Sequence, residues 1–258
     1  MTRSSRFALV TGAAGDIGRA IGAALHADGW SLGLIDLDAQ RITGAPACAT
    51  LVSADVTNPD SVAAALDRLG VAPDLIVNNA GIVRFGPLLE HSLSDFEAVL
   101  RVNLLAAFIV GQHCARLSVA AGKGGAIVNI TSINGIVPGP NSGAYTAAKA
   151  GLALLTKQMA LEWGPLGIRV NSIAPGLIDA GMSNAIHADR ELRAAREARI
   201  PLRRLGTAGD VASLVVFLAS DAASYITGEN IAVDGGVTQS LLTMLPRPKS
   251  VDKVGPNQ

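Results

Sequence analysis

Phe7-Ala8-Leu9-Val10-Thr11-Gly12-Ala13-Ala14-Gly15-Asp16-Ile17-Gly18 opens the chain with an apolar run, a glycine-rich turn and the start of an Ala-rich segment that extends to about Asp28. The run predicts a buried strand and the Ala-rich segment a helix. Glycines allow a tight turn and a close approach of backbone to ligand. The unpaired N–H groups and positive dipole end of the helix attract an anion such as a pyrophosphate. A tight strand-to-helix turn favours Gly for folding reasons alone, so the turn by itself is weakly specific. Asp36 sharpens it: it ends the next apolar run, Ser31 to Ile35, where a carboxylate would accept both hydroxyls of an adenosine ribose.

Further strands are expected near 7–12, 31–36, 50–53, 74–78, 125–131, 167–173 and 229–233, with helical segments between them. Alternation of this kind predicts right-handed crossovers and a parallel sheet, hence an α/β, Rossmann-type doubly wound fold of about seven strands. Ser92 with Asp95 and Thr207 with Asp210 have the spacing of capping boxes at helix starts. There is no internal repeat and no low-complexity linker.

Ser132 follows the apolar run Ala126-Ile127-Val128-Asn129-Ile130, so its hydroxyl is expected at a strand's carboxyl end, where open parallel sheets bind ligands. Tyr145 and Lys149 have i,i+4 spacing and share a helix face. An ammonium beside a phenol would favour the phenolate and lower its pKa from about 10, making Tyr145 a general acid or base. An isolated pair with this spacing is ordinarily just an exposed pair; its company gives it meaning.

On these residues the chain resembles the short-chain dehydrogenase/reductase family over about residues 6 to 236. The resemblance implies a nicotinamide dinucleotide held by Gly12, Gly15, Asp16, Ile17 and Gly18, with Asp36 selecting NAD. It implies adenine contacts from Asp55 and Val56, a loop of Asn79, Ala80 and Gly81 preceded by Asn78, and a nicotinamide loop of Pro175, Gly176 and Ile178. The catalytic positions become Asn103, Ser132, Tyr145 and Lys149, the last also holding the nicotinamide ribose. Asn103 shares a predicted helical stripe with Phe96, Leu100, Ala107 and Val110, so it is expected in the core. A core carboxamide commonly bridges backbone groups; the family's reading adds a water that links Lys149 to solvent.

The chain departs from the family at two places. Asp16 stands where the middle Gly is usual, and a carboxylate beside a pyrophosphate must turn away, for example to cap the helix. Ala180 stands where a Thr is frequent, leaving backbone near Ile178 to orient the nicotinamide carboxamide. The family also implies a substrate lid over 179–205, and a dimer or tetramer built on the Asn103 helix and the helix after Tyr145. Ala147, Ala148, Ala150, Gly151 and Ala153 would allow close helix approach there, although packing inside the domain explains them equally.

The 258 residues, 49% hydrophobic and 16% charged, suffice for one domain over 1–258 with a core at 6–236 and a tail at 237–258. Leu241, Leu242 and Leu245 precede a Pro-containing polar stretch in that tail, expected to be a disordered terminus, with an ordered arm packing on a neighbouring subunit as the alternative. Zero formal net charge gives no electrostatic case for nucleic acid or an anionic membrane. No apolar run approaches the roughly 18 residues of a spanning helix, and no signal-peptide core is recognisable, so a cytoplasmic protein is expected. Cys48 and Cys114 read as plain thiols, and His26, His91, His113 and His187 lack metal-ligand spacing, so no metal is expected.

Substrate contacts are expected from 179–205 and from Asn134, Pro138 and Asn141. Arg190, Arg193, Arg196 and Arg199 alternate with Asp189, Glu191 and Glu197, the pattern of a solvated helix face rather than an anion clamp. The expected activity is NAD-dependent interconversion of a secondary alcohol and a ketone on a small polar substrate: a polyol, sugar or hydroxy acid. A 3-oxoacyl-thioester reductase is the alternative enzyme, disfavoured by Asp36 because that reduction usually uses NADPH. A catalytically inactive nucleotide-sensing scaffold is the alternative outside enzymes, disfavoured by the complete catalytic set.

Overall fold

The computed structural model describes residues 6–181 and 189–240. His187 and the tail leucines lie outside the described residues.

Seven parallel strands form one sheet: β1 (Phe7–Thr11), β2 (Ser31–Asp36), β3 (Thr50–Ser53), β4 (Leu75–Asn78), β5 (Gly125–Ile130), β6 (Ile168–Pro175) and β7 (Asn230–Val233). Their order across the sheet is β3-β2-β1-β4-β5-β6-β7. The order reverses between β1 and β4, so the connections leaving those neighbours diverge and open a crevice at their carboxyl ends. The strands lie within a residue or two of their expected limits. In β1, β2, β4, β5 and β6 the Val, Leu and Ile side chains are buried on both faces, as parallel strands covered by helices require, while Leu51, Ile231 and Val233 of the edge strands β3 and β7 are partly buried.

Helices α1 (Asp16–Ala27), α2 (Pro59–Leu69), α3 (Leu93–Leu100), α4 (Ala106–Ala120), α5 (Tyr145–Trp163), α6 (Arg190–Glu197) and α7 (Ala208–Ala219) follow in chain order. One face of the sheet packs against α1 and α7, with Ile21, Leu25, Val211 and Val215 in that core layer. On the other face Val62, Val110 and Met159 from α2, α4 and α5 meet Leu9, Ile76 and Ile127. Between α3 and α4 the helix widens into a π turn, Arg101–Leu105, containing Asn103. Such turns are rare and concentrate at functional positions. Among the described residues no helix is long and apolar enough to cross a membrane.

Thr207 and Asp210 form a reciprocal capping box at the start of α7. Ser92 and Asp95 form only half of one. The Ser92 hydroxyl accepts from Asp95 N at 3.1 Å, but the Asp95 carboxylate takes the Ser92 hydroxyl at 2.9 Å and faces Arg84 Nε at 3.4 Å rather than reaching the Ser92 backbone. A hydroxyl and a guanidinium nearby outcompete one amide for that carboxylate.

Candidate active site

Gly12 and Gly18 shape the turn after β1. Gly12 has φ +63°, and a Cβ on it would lie 2.7 Å from Ala80 Cα. A Cβ on Gly18 would lie 2.3 Å from Gly12 O, so both positions exclude side chains through backbone packing alone. Asn79 fixes the same turn: its Nδ2 donates to Thr11 O at 3.1 Å and Gly12 O at 3.0 Å, while Thr11 Oγ1 accepts from Asn79 N and Ala80 N. The first helical bond of α1 runs from Arg19 N to Gly15 O, and Gly15 supplies no side-chain cap. The amides of Asp16, Ile17 and Gly18 therefore precede the ladder and form the first-turn cradle that an anionic diphosphate fits.

The Asp16 carboxylate is turned out of that cradle. One oxygen pairs with the Arg19 guanidinium and the other accepts from Gly181 N at 2.6 Å. The cap position is Gly15, which has no side-chain cap, so the capping expectation is corrected: Asp16, at the first helical position, points back along the flank, toward Arg19 one turn on and toward the chain leaving β6.

Asp36 ends β2 with one carboxylate oxygen accepting from Ala14 N and the other from Leu37 N, both at 2.9 Å. This sets its carboxylate against the glycine turn, at the position that suits a ribose diol, and Leu37 beside it is exposed. Asp55 accepts from Thr57 N at 2.9 Å, and the Val56 side chain is buried. Pro175 ends β6 and Gly176 follows it. At the following stub, Gly206 N donates to Leu177 O and Asp179 N to Gly206 O, so the N–H and C=O of Ile178 point to the opposite edge. Ala180 is buried in the apolar layer and offers no polar group. The residues present thus fit a dinucleotide along the carboxyl ends of β1, β2, β4 and β6.

The Ser132 hydroxyl accepts from Asn134 N at 3.1 Å and lies near enough to the Tyr145 phenol to act on its pKa. Tyr145 is the first residue of α5. One turn on, the Lys149 Nζ lies 5.5 Å from the Tyr145 ring centroid and donates to Ile130 O at 2.8 Å. Asn103 lies opposite. Its Nδ2 donates to Ile82 O at 2.8 Å and Val99 O at 2.9 Å, while its buried Oδ1 has no partner. A Cβ on Gly81 would sit 2.8 Å from that Oδ1 and 3.6 Å from Lys149 Nζ, so the missing side chain of Gly81 leaves room where the two groups face each other. The bridging and functional readings of Asn103 therefore use different ends of one carboxamide.

The charge reading needs correction. Burial pushes the Tyr145 phenol above its ordinary 10, with the nearby Ser132 hydroxyl opposing it, and burial pulls Lys149 from 10.5 down to about 7. Lys149 is 3% exposed, and desolvation of the amine outweighs the help it was expected to give the phenolate.

A polar network behind the site escaped sequence reasoning. Asn78 Nδ2 donates to Asn129 Oδ1 at 2.8 Å, and Asn129 Nδ2 donates to Thr156 Oγ1 at 2.9 Å, tying β4, β5 and α5 together. The signal was available in two Asn inside otherwise apolar strand runs. On the substrate side Asn134 Nδ2 reaches Ser142 Oγ at 3.3 Å, Asn141 O accepts from Gly86 N, and Asn141 adopts φ +57°. Pro138 lies in the same exposed connection. Arg193 pairs with Asp179 at 2.7 Å and Glu197 at 3.1 Å, as a solvated face predicts. Among the described residues no group of three or more His, Cys, Asp or Glu could hold a metal.

Residues 12–238 match the family model described as enoyl-(acyl carrier protein) reductase. The chain belongs to the short-chain dehydrogenase/reductase family. It is 41% identical over 245 residues to the cis-4-hydroxycyclohexanecarboxylate dehydrogenase of Sinomonas cyclohexanicum, covering 91% of this chain and 97% of that one. A solved structure from Agrobacterium tumefaciens, provisionally assigned as a 2-deoxy-D-gluconate 3-dehydrogenase with bound NADP, aligns with a TM-score of 0.84 at 38% identity, over 92% of this chain and 98% of that one. A 4-hydroxyisoleucine dehydrogenase complexed with NADH aligns with a TM-score of 0.86 at 32% identity, over 91% and 99%. As a family member this short-chain dehydrogenase/reductase is an oxidoreductase of CH–OH donors, uses a nicotinamide dinucleotide and acts on a small-molecule alcohol or ketone.

Proposed function

We propose that this enzyme is an NAD-dependent dehydrogenase that interconverts a secondary alcohol and its ketone on a small polar substrate: a polyol, sugar or hydroxy acid. The observation that carries the reading is the convergence of Ser132, Tyr145 and Lys149, with Lys149 Nζ 5.5 Å from the Tyr145 ring centroid one helical turn behind it. When bound, NAD supplies the hydride acceptor. Tyr145, kept protonated by burial, takes the proton of the substrate hydroxyl as it gives up its own phenolic proton toward neutral Lys149, and Ser132 holds the substrate oxygen against the phenol. Lys149, with a pKa of about 7, changes protonation state at neutral pH and passes the proton on. The unpartnered Oδ1 of Asn103 holds the water that carries it outward. The substrate class is supported by relatives named for a hydroxycyclohexanecarboxylate, a deoxygluconate and a hydroxyisoleucine.

NAD is favoured over NADP because the Asp36 carboxylate would face a 2′-phosphate while the adjacent Leu37 offers no cation. We read the segment 179–205 as the substrate lid. A homodimer or homotetramer is supported by exposed apolar side chains on α4 and α5, among them Phe108, Leu154 and Leu161. The test is NADH formation, followed at 340 nm, with polyols, sugars, hydroxy acids, hydroxysteroids and 3-hydroxyacyl thioesters, each with NAD and with NADP. Turnover of polar secondary alcohols with higher kcat/KM for NAD supports the reading. Turnover of the thioesters alone with NADP would replace it.

A further inference from the structure

Asp16 stands where the family carries Gly, and its two carboxylate oxygens face two separate parts of the molecule: Arg19 in its own helix and Gly181 N, 165 residues away, at 2.6 Å. Arg19 also donates to Ala14 O in the phosphate turn. Gly181 follows Ala180, which is buried in the α1 and α7 layer, and Asp179, whose N–H is taken by Gly206 O at 2.8 Å and whose carboxylate meets Arg193. The segment 179–181 is therefore held on one side by chain that returns just ahead of α7 and on the other by Asp16. A charged acceptor and a main-chain amide make a short, strong bond, and this one crosses from the cofactor's turn to the chain that leaves β6.

We propose that Asp16 is a positioning residue for the substrate side, fastening segment 179–181 to the phosphate turn. The inference rests on the reading of this crevice as a dinucleotide and alcohol site. A Gly at position 16 leaves the Gly181 amide without its acceptor and the Arg19 guanidinium without its carboxylate. With both oxygens engaged, the charge of Asp16 is spent on Arg19 and Gly181 rather than on repelling an anion at the amides of Ile17 and Gly18.

The test compares Asp16→Gly and Asp16→Asn with the native protein, by amide hydrogen exchange at Gly181 with and without saturating NADH, by NADH Kd from fluorescence, and by alcohol KM. Asp16→Gly should speed exchange at Gly181 about tenfold or more and raise alcohol KM about fivefold, with NADH Kd moving less than about threefold. Asp16→Asn keeps an acceptor oxygen and should restore most of the protection. Native-like exchange at Gly181 in Asp16→Gly overturns the proposal, and so does a rise in KM matched by an equal rise in Kd, which would place the effect in the cofactor cradle. If the native protein oxidises no alcohol, the proposed function fails while Gly181 exchange still decides the role of Asp16.

Discussion

Replacing Lys149 with Met should change the pH dependence of stability in a calculable way. Lys149 is buried, donates to Ile130 O at 2.8 Å, and has its pKa drawn from 10.5 to about 7 by desolvation. Between these values the unfolded chain binds a proton that the folded chain does not, so this group makes native stability rise with pH across that window, and below pH 7 its penalty is fully present. With 1.36 kcal/mol per unit, the penalty is about 4 kcal/mol at pH 7 and about 2 kcal/mol at pH 9. Met removes the penalty at both pH values and leaves Ile130 O unpaired at a cost of about 1–3 kcal/mol that does not depend on pH. The stability of Lys149→Met relative to native should therefore fall by about 2 kcal/mol from pH 7 to pH 9, or about 4–8 °C in Tm for a chain of this size. Thermal unfolding of cofactor-free protein by circular dichroism at both pH values reads this directly, since all other titrating groups are common to the pair. A Tm difference that stays constant from pH 7 to pH 9 would refute the reasoning, because Lys149 would then keep its ordinary charge in a solvated site.

Asp36→Ala should narrow the preference for NAD over NADP, measured as kcat/KM, and should destabilise the protein by about 1–3 kcal/mol by leaving Ala14 N and Leu37 N without their acceptor. Asn103→Ala should lower stability by about 2–4 kcal/mol in urea unfolding, because Ile82 O and Val99 O lose their buried donor. Arg193→Gln should leave alcohol kcat/KM within about twofold, since its charge is already met by Asp179 and Glu197. A strong, salt-sensitive rise in KM in that variant would instead assign it to an anionic substrate.

Local pattern carried the strands and the placing of Tyr145 and Lys149. Apolar runs bounded by Gly and polar residues set strand limits to within a residue or two, and i,i+4 spacing fixes a shared helix face whatever the surroundings. The protonation of that pair was not legible, because burial depends on everything packed around α5 and reversed the effect expected from two neighbours. The partners of Asp16 were equally hidden: Gly181 is distant in sequence and meets it only because α1 and the chain leaving β6 share one end of the sheet. The π turn at Asn103 has no periodic signature in five residues, although the stripe through Asn103 still led to its burial. Asn78 and Asn129 looked like interruptions of apolar strands until β4 and β5 stood side by side.

The claim that Tyr145 is the proton-transferring group is tested most directly by Tyr145→Phe, assayed for alcohol-dependent NADH formation beside a fluorescence titration of NADH. The phenol acts on the substrate oxygen and its ring remains in place, so turnover should fall at least about a thousandfold while NADH Kd stays within about threefold of native. A variant that keeps a substantial fraction of native kcat would contradict the account.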